Sequence, residues 1–462
     1  MGKKSMKARA TLTTLVLAVS AAMSPAAQSA QKFQLITLDP GHFHAGLVQA
    51  VMYPDVDPEV HVYALPGNDL TEHLKRIERF NTRAEKPTQW RTTTYTGKDY
   101  FEKMLADKPG NIVVISGNNA RKADYVLRSV QAGLNVLADK PMAIVPADLE
   151  RLRQAFAAAR QRNVLLYDIM TERHEITSIL QRELAQQPAL FGEMQRGSPQ
   201  DPAIVEESVH YFSKVVAGAP LIRPQWFFDV RQAGEGIVDV TTHLVDLVQY
   251  QGFHEQALDP AEVKVLTAKR WSTALSPAQF KQVTGAESFP AFLANDVGDG
   301  KLQVYSNGEF TYRVKGVHAR VKATWDFESP PGSGDTHHSI MRGTRSTLAI
   351  RQGETEKFKP VLYVEKMAGV DAAAHETALL AAIATLQKSY PGVGVRGVES
   401  KSGVWAVTVP AKYDVGHEAH FAKVTQDFLK YLREGKLPDW EVPGMLTKYA
   451  TIMQAYELSH AK

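Results

Sequence analysis

From Lys32 onward the chain alternates short apolar runs with longer stretches of helical spacing. Phe33 to Leu38 is an apolar run that stops at Asp39-Pro40-Gly41, and Ala45 to Val51 then takes helical spacing. Val60 to Leu65 reads as a second strand and Leu70 to Phe80 as the helix after it. The alternation continues through a helix at Tyr100 to Ala106, a strand at Asn111 to Ile115, a helix at Lys122 to Ala132 and a short strand at Asn135 to Ala138. A helix at Leu149 to Arg160 and a strand at Val164 to Tyr167 complete the series. Strands and helices alternating at these lengths predict an α/β fold, a doubly wound parallel sheet over residues 31–167.

Beyond Asp168 the pattern changes. A long helix is expected at Glu172 to Ala185 and another at Gly236 to Tyr250, followed by segments of strand period. Lys301 to Tyr305 and Glu309 to Val314 flank Ser306-Asn307-Gly308, which reads as a hairpin turn. Val317 to Phe327, Leu348 to Arg351, Val361 to Glu365 and Val404 to Val409 read as further strands, and Ala372 to Gln387 as a helix. Two amphipathic helices, Glu418 to Arg433 and Gly444 to Ser459, close an α+β domain over residues 168–462.

Residues 1–30 stand outside this organisation. Lys3, Lys4, Lys7 and Arg9 precede an apolar run from Ala10 to Met23 and a small-residue region from Pro25 to Ala30, the layout of a cleaved secretory signal. The apolar run is shorter than the roughly 18 residues a membrane anchor needs. Loss of the leader removes four basic and no acidic side chains, leaving 49 Lys and Arg against 50 Asp and Glu. The mature chain therefore carries no basic excess for binding nucleic acid. With no cysteine the chain can hold neither a disulfide scaffold nor a thiolate metal site, and it suits an oxidising compartment. The expected location is outside the cytoplasm, in the periplasm.

The turn after the first strand is where a dinucleotide-binding fold brings backbone N–H groups to a pyrophosphate. Aligned on G-x-G-x-x-G, the segment Asp39-Pro-Gly41-His42-Phe43-His44 keeps only the middle glycine, with Asp39 and His44 at the outer positions. The second strand ends in Tyr63-Ala64-Leu65 without the acid that would hold the ribose hydroxyls, and Asp69 comes four residues later. Further along stand Ser116-Gly117-Asn118-Asn119, Asp139-Lys140-Pro141 and Gly236-Ile-Val-Asp239-Val-Thr-Thr-His243. In the order and spacing of these motifs the chain resembles the Gfo/Idh/MocA oxidoreductases, a family of glucose-fructose oxidoreductases and inositol dehydrogenases. Their strand-end Glu-Lys-Pro places a lysine beside a nicotinamide, and a later Asp-x-x-x-His opens the second domain. Here Asp139 replaces the Glu while Lys140, Pro141, Asp239 and His243 match. The resemblance implies a Rossmann-like first domain, a second domain with a large, mostly antiparallel open sheet, and a homo-oligomer. It implies NAD or NADP, with NAD preferred, bound by Asp39, Gly41, His42, Phe43, His44, Ser116, Asn118, Asn119 and Lys140.

Oxidising an alcohol needs a base that takes the hydroxyl proton as hydride departs, and an imidazole titrates in the useful range. Lys140, Asp239 and His243 are the expected catalytic residues: Lys140 to stabilise charge on the reacting oxygen, His243 to take the proton, and Asp239 to orient either. At i and i+4 the last two would share one helix face. Taken singly, each has a structural reading, as helix cap, core histidine or surface lysine. Glu172, Arg173 and His210 are candidates for touching a carbohydrate. Asp335-Thr336-His337-His338 and His417-Glu418-Ala419-His420 invite a metal reading, but a glutamate in a first helical turn accounts for the second more simply, and no metal is expected. The implied activity is oxidation at a CH–OH group of a sugar or glycoside by a secreted enzyme that keeps its cofactor bound. A redox-neutral glycosidase or lyase working through a transient keto sugar, and a non-catalytic carbohydrate binder, remain open.

Overall fold

The computed structural model describes residues 1–2, 32–216, 219–399 and 401–461, so nearly all of the expected leader lies outside the described residues. Strands β1 (Leu35–Leu38), β2 (Glu59–Tyr63), β3 (Arg91–Tyr95), β4 (Ile112–Ile115), β5 (Asn135–Asp139) and β6 (Leu166–Ile169) form a sheet in the order β3-β2-β1-β4-β5-β6. All its pairings are parallel. β1 and β4 are buried at every position, as expected for strands covered by helices on both faces. The edge strand β3 escapes a hydrophobicity reading because its Arg-Thr-Thr-Thr-Tyr sequence is exposed at alternate and adjacent positions alike. The strand order reverses between β1 and β4, which opens a crevice at the carboxyl ends of the strands. Asp39, Ser116 and Lys140 all lie at that edge, just past β1, β4 and β5.

The second sheet is built on β7 (Ile204–Ser213), beside which β8 (Val215–Val216) and β9 (Ala219–Pro220) form a two-residue ladder. Its other strands are β10 (Val263–Leu275), β11 (Val297–Gly298), β12 (Lys301–Val314), β13 (Val317–Glu328), β14 (Thr336–Arg342), β15 (Ser346–Arg351), β16 (Val361–Lys366), β17 (Gly394–Gly397) and β18 (Val404–Thr408). They run in the order β10-β12-β13-β7-β14-β15-β16-β18-β17, with β11 on β12. Every pairing is antiparallel except β13 with β7. One apolar core runs from the first sheet through Ile237, Val245 and Leu244 to Phe310, Val321 and Trp325 of the second. A second core lies beneath β14–β18, against the helices Ile176–Ala185 and Ala372–Ser389.

Three local expectations are corrected by the structure. Ser306-Asn307-Gly308 is not a hairpin but the middle of the single strand β12, paired to β10 through Trp271↔Asn307 and Arg270↔Gly308. The three residues are small because another segment presses on them. A Cβ on Gly308 would lie 2.4 Å from Ile237 Cα, and one on Gly236 only 1.8 Å from Ser306 O. Asn307 donates to Trp271 O at 3.1 Å and accepts from Trp325 N at 2.7 Å, so it ties three strands together. The expected helix at 172–185 breaks into a 3-10 turn, Thr171–His174, and a helix, Ile176–Ala185, because the Glu175 side chain caps the second piece at Ser178 N. Asp239 lies in the tight turn before the helix Thr241–Gly252 rather than within it.

The close packing of Gly236 and Ile237 onto β12, two residues before Asp239, makes the position of that carboxylate depend on two glycines. A Gly308→Ala substitution is expected to cost about 1–3 kcal/mol by overpacking and to lower the denaturant midpoint. An unchanged midpoint would mean that the turn has slack the packing does not show.

The chain ends by joining its two halves. In the helix Glu441–His460, Lys448 pairs with Asp168 at 2.7 Å and Asp246 at 2.8 Å, and Tyr449 Oη accepts from Met142 N at 3.1 Å. Among the described residues no helix is long and apolar enough to cross a membrane.

Candidate active site

A cavity of about 1160 Å³ opens between the two sheets. Its walls bring together Lys140 from the end of β5, Asp239 from the turn packed on β12, and His243 from the first turn of the following helix. Lys140 Nζ donates to Asp239 Oδ1 at 2.6 Å, and the two side chains are 11% and 18% exposed. Burial would raise the Asp239 carboxyl, but the Lys140 ammonium outweighs it and holds the group below its usual value. His243 is pushed down to about 4 by burial and by Lys140, so its imidazole is neutral near pH 7. Its Nδ1 is buried without a hydrogen-bond partner.

Glu172 lines the same cavity. Burial would raise its carboxyl, yet His243, His417, His420 and His337 hold it at about 2. The last three of these imidazoles come from segments that the sequence pattern offers only as uncommitted His-rich runs. His210 also faces the cavity, with Nδ1 2.9 Å from Asp335 Oδ2, Nε2 2.8 Å from Ser208 Oγ, and its ring stacked on Trp325 at 5.1 Å between centroids. Arg173 goes elsewhere. It is buried, donates to both carboxylate oxygens of Asp246 at 2.6 and 2.7 Å and to Glu441 at 2.8 Å, and belongs to the ion network around Lys448.

The residues expected at the cofactor divide in the same way. His42, Phe43, His44, Asn119 and Lys140 line the cavity. His42 and His44 both turn Nδ1 to the Asp139 carboxylate at 3.1 Å, and Ser116 Oγ donates to it at 2.8 Å. Burial works against the Asp139 charge, but these imidazoles more than offset it and hold the carboxyl well below the usual range. Asp39, at φ 48°, accepts from Tyr125 Oη at 3.0 Å. Asn118 caps the helix Asn119–Gln131 through Ala120 N, and its amide donates to Gln232 at 2.7 Å. The Asn119 amide donates to Ala233 O at 2.6 Å. The segment from Trp226 to Ala233 thus lies over the β1 and β4 loops. At Gly41 a Cβ would meet Asp69 Oδ2 at 2.9 Å and Trp226 Cζ2 at 3.0 Å, and Trp226 Nε1 donates to Asp69 Oδ2 at 2.8 Å.

Sequence comparison matches residues 180–460 to the family model described as "Putative oxidoreductase C terminal domain" and residues 62–168 to that of "Oxidoreductase family, NAD-binding Rossmann fold", GFO_IDH_MocA. The chain belongs to the Gfo/Idh/MocA oxidoreductase family. The match to the family's NAD-binding domain begins at Val62, beyond the first turn, which is the part that departs most from the glycine pattern. A crystal structure of a "putative oxidoreductase" from Parabacteroides merdae is 54% identical over 93% of this chain and 98% of its own, with a TM-score of 0.90. Levoglucosan dehydrogenase in complex with NADH and levoglucosan is 14% identical over 93% and 98% of the two chains, with a TM-score of 0.57. GenD2 from gentamicin A biosynthesis, in complex with NAD, is 15% identical over 95% and 97%, also at 0.57. These two share the Gfo/Idh/MocA fold. No curated protein sequence matches the chain.

The residues present fit the family's cofactor at one end of its groove. Around Lys140 and His243 there is space, a neutral imidazole and an unpartnered buried Nδ1. At the first turn the Trp226 indole lies directly on Gly41, so a pyrophosphate reaches that turn only when the Trp226 segment lifts.

Proposed function

We propose that the chain oxidises a hydroxyl of a sugar or glycoside, using an NAD(H) that stays bound through turnover and is reset when the hydride passes to a second, carbonyl substrate or back to the rearranged product. The observation that carries this reading is the convergence of the Lys140–Asp239 ion pair and the neutral His243 on one cavity. A bound nicotinamide supplies the hydride acceptor. His243 takes the hydroxyl proton, which its lowered pKa permits at neutral pH. The Lys140 ammonium stabilises negative charge growing on the same oxygen. Asp239 holds that ammonium in place through the 2.6 Å contact. His210 against Trp325, together with Glu172, offers polar edges and an aromatic face suited to a polyol ring.

The signal-like leader supports action outside the cytoplasm, where no free dinucleotide pool exists to exchange with. Native mass spectrometry of the purified protein is expected to retain one dinucleotide per chain, and incubation with glycosides and a carbonyl acceptor to yield a keto sugar and the reduced acceptor. Dinucleotide-free protein that neither takes up NAD nor oxidises any sugar would refute the proposal.

Because His243 must be unprotonated to accept a proton, kcat/KM is expected to hold steady from neutral pH downward and to fall only near pH 4, the value to which burial and Lys140 depress it. An acid limb near the ordinary imidazole value of about 6.5 would assign the proton to a different group.

A further inference from the structure

The wall of the cavity beside Lys140 carries a second cluster that hydroxyl oxidation does not use. Among the described residues, His42, His44 and Asp139 form the one group of three His, Asp or Glu side chains whose donor atoms lie within 4.8 Å of one another. We propose that these three residues bind a single divalent transition-metal ion, Zn²⁺ or Mn²⁺ in chemical type, at the turn after β1.

The two Nδ1 atoms each stand 3.1 Å from Asp139 Oδ2. Ligand atoms bonded to one tetrahedral ion at roughly 2.0–2.1 Å lie about 3.3 Å from each other, so both histidine–carboxylate spacings are already near that value, and the two histidine donors lie within 4.8 Å of one another. Two imidazoles and a carboxylate form a borderline donor set that suits zinc, manganese or cobalt better than calcium or magnesium. His44 and Asp139 are 7% and 2% exposed, and His42 is half-buried, which holds the donors in place.

An outer layer supports them in the way metal ligands are usually supported. Ser116 Oγ donates to the carboxylate at 2.8 Å, and the far nitrogen of His44 meets His417 Nε2 at 3.3 Å. The buried ammonium of Lys122 does not occupy the spot, because it donates to the backbone carbonyls of Asp139 at 2.8 Å and Lys140 at 3.4 Å. All three donors border the cavity, and three protein ligands leave a coordination position open to it. Its two histidines lie on the stretch before Val62 that the family's NAD-binding model leaves unmatched, while Asp139 lies within the matched part.

The test uses the untagged full chain, freed of metal by chelator dialysis and titrated calorimetrically with ZnCl₂ and, separately, with MnCl₂. One ion per chain is expected with at least one of them. His44→Ala and His42→Ala should each weaken binding about 100-fold or more, and His417→Ala about 10-fold. Should His44→Ala fail to fold, His42→Ala, at a half-buried position, still gives the reading. No stoichiometric uptake, or uptake that both His42→Ala and His44→Ala leave unchanged, overturns the proposal, since protons on the two Nδ1 atoms would then account for the geometry. Native mass spectrometry of the same sample separates this proposal from the functional reading. Dinucleotide retained without an ion-binding site overturns the metal proposal alone, whereas an ion bound in a chain that takes up no dinucleotide supports it and removes the reading above.

Discussion

Lys140→Met is expected to lower kcat/KM by about 1000-fold, corresponding to roughly 4 kcal/mol of lost transition-state stabilisation. The effect should fall on kcat rather than KM, because the ammonium counts most when the oxygen carries negative charge. The variant also leaves Asp239 without the cation that depresses its carboxyl, so the pKa of that carboxyl should rise under the desolvation that Lys140 now outweighs. Steady-state kinetics with the best sugar substrate gives the first result, and a carboxyl titration by NMR gives the second. A variant with unchanged kcat would remove Lys140 from the chemistry and leave it a structural partner of Asp239.

The second large effect is on stability. Asp246 accepts from Arg173 through both oxygens and from Lys448 at 2.8 Å, in a network where Lys448 and Asp168 are fully buried. Asp246→Ala leaves two buried cations short of a carboxylate, which should cost about 3–5 kcal/mol. Guanidinium unfolding should show a lower midpoint with an unchanged slope. A shift too small to measure would mean that Asp168 and Glu441 alone neutralise the network. The sign with pH follows from the carboxyl itself. Burial would raise Asp246, but Arg173 and Lys448 hold it far below its usual value. Its contribution is therefore complete above the unfolded carboxylate pKa of about 3.9 and disappears only under strong acid.

The parts of the site that a sequence can show are those carried by local spacing. Lys140 is legible because a short apolar strand runs straight into Asp139-Lys140-Pro141, and Asp239 with His243 because their separation is fixed within one turn and the helix it opens. The parallel sheet is legible for a similar reason, since each strand is a brief apolar run between helical stretches. Contacts across long separations leave no such trace. His44 and Asp139 meet over 95 residues, and neither carries a mark of the other. Arg173 stands beside Glu172 in sequence, yet the 3-10 turn sends one to the cavity and the other into the ion network. Ser306-Asn307-Gly308 has the composition of a turn for a tertiary reason: small residues are needed where Gly236 and Ile237 press on β12. Local propensity and tertiary crowding ask for the same residues there, and only the fold separates them.

The helix Glu441–His460 makes the two halves of the molecule one unit. Its lysine and tyrosine fasten onto Asp168 and onto the backbone just past Lys140, so the nucleotide-binding half is held by a helix distant in sequence. The division near residue 168 is one of sequence and not of autonomy. Neither portion expressed by itself would be a faithful miniature of the whole, and melting should proceed as one cooperative event rather than two.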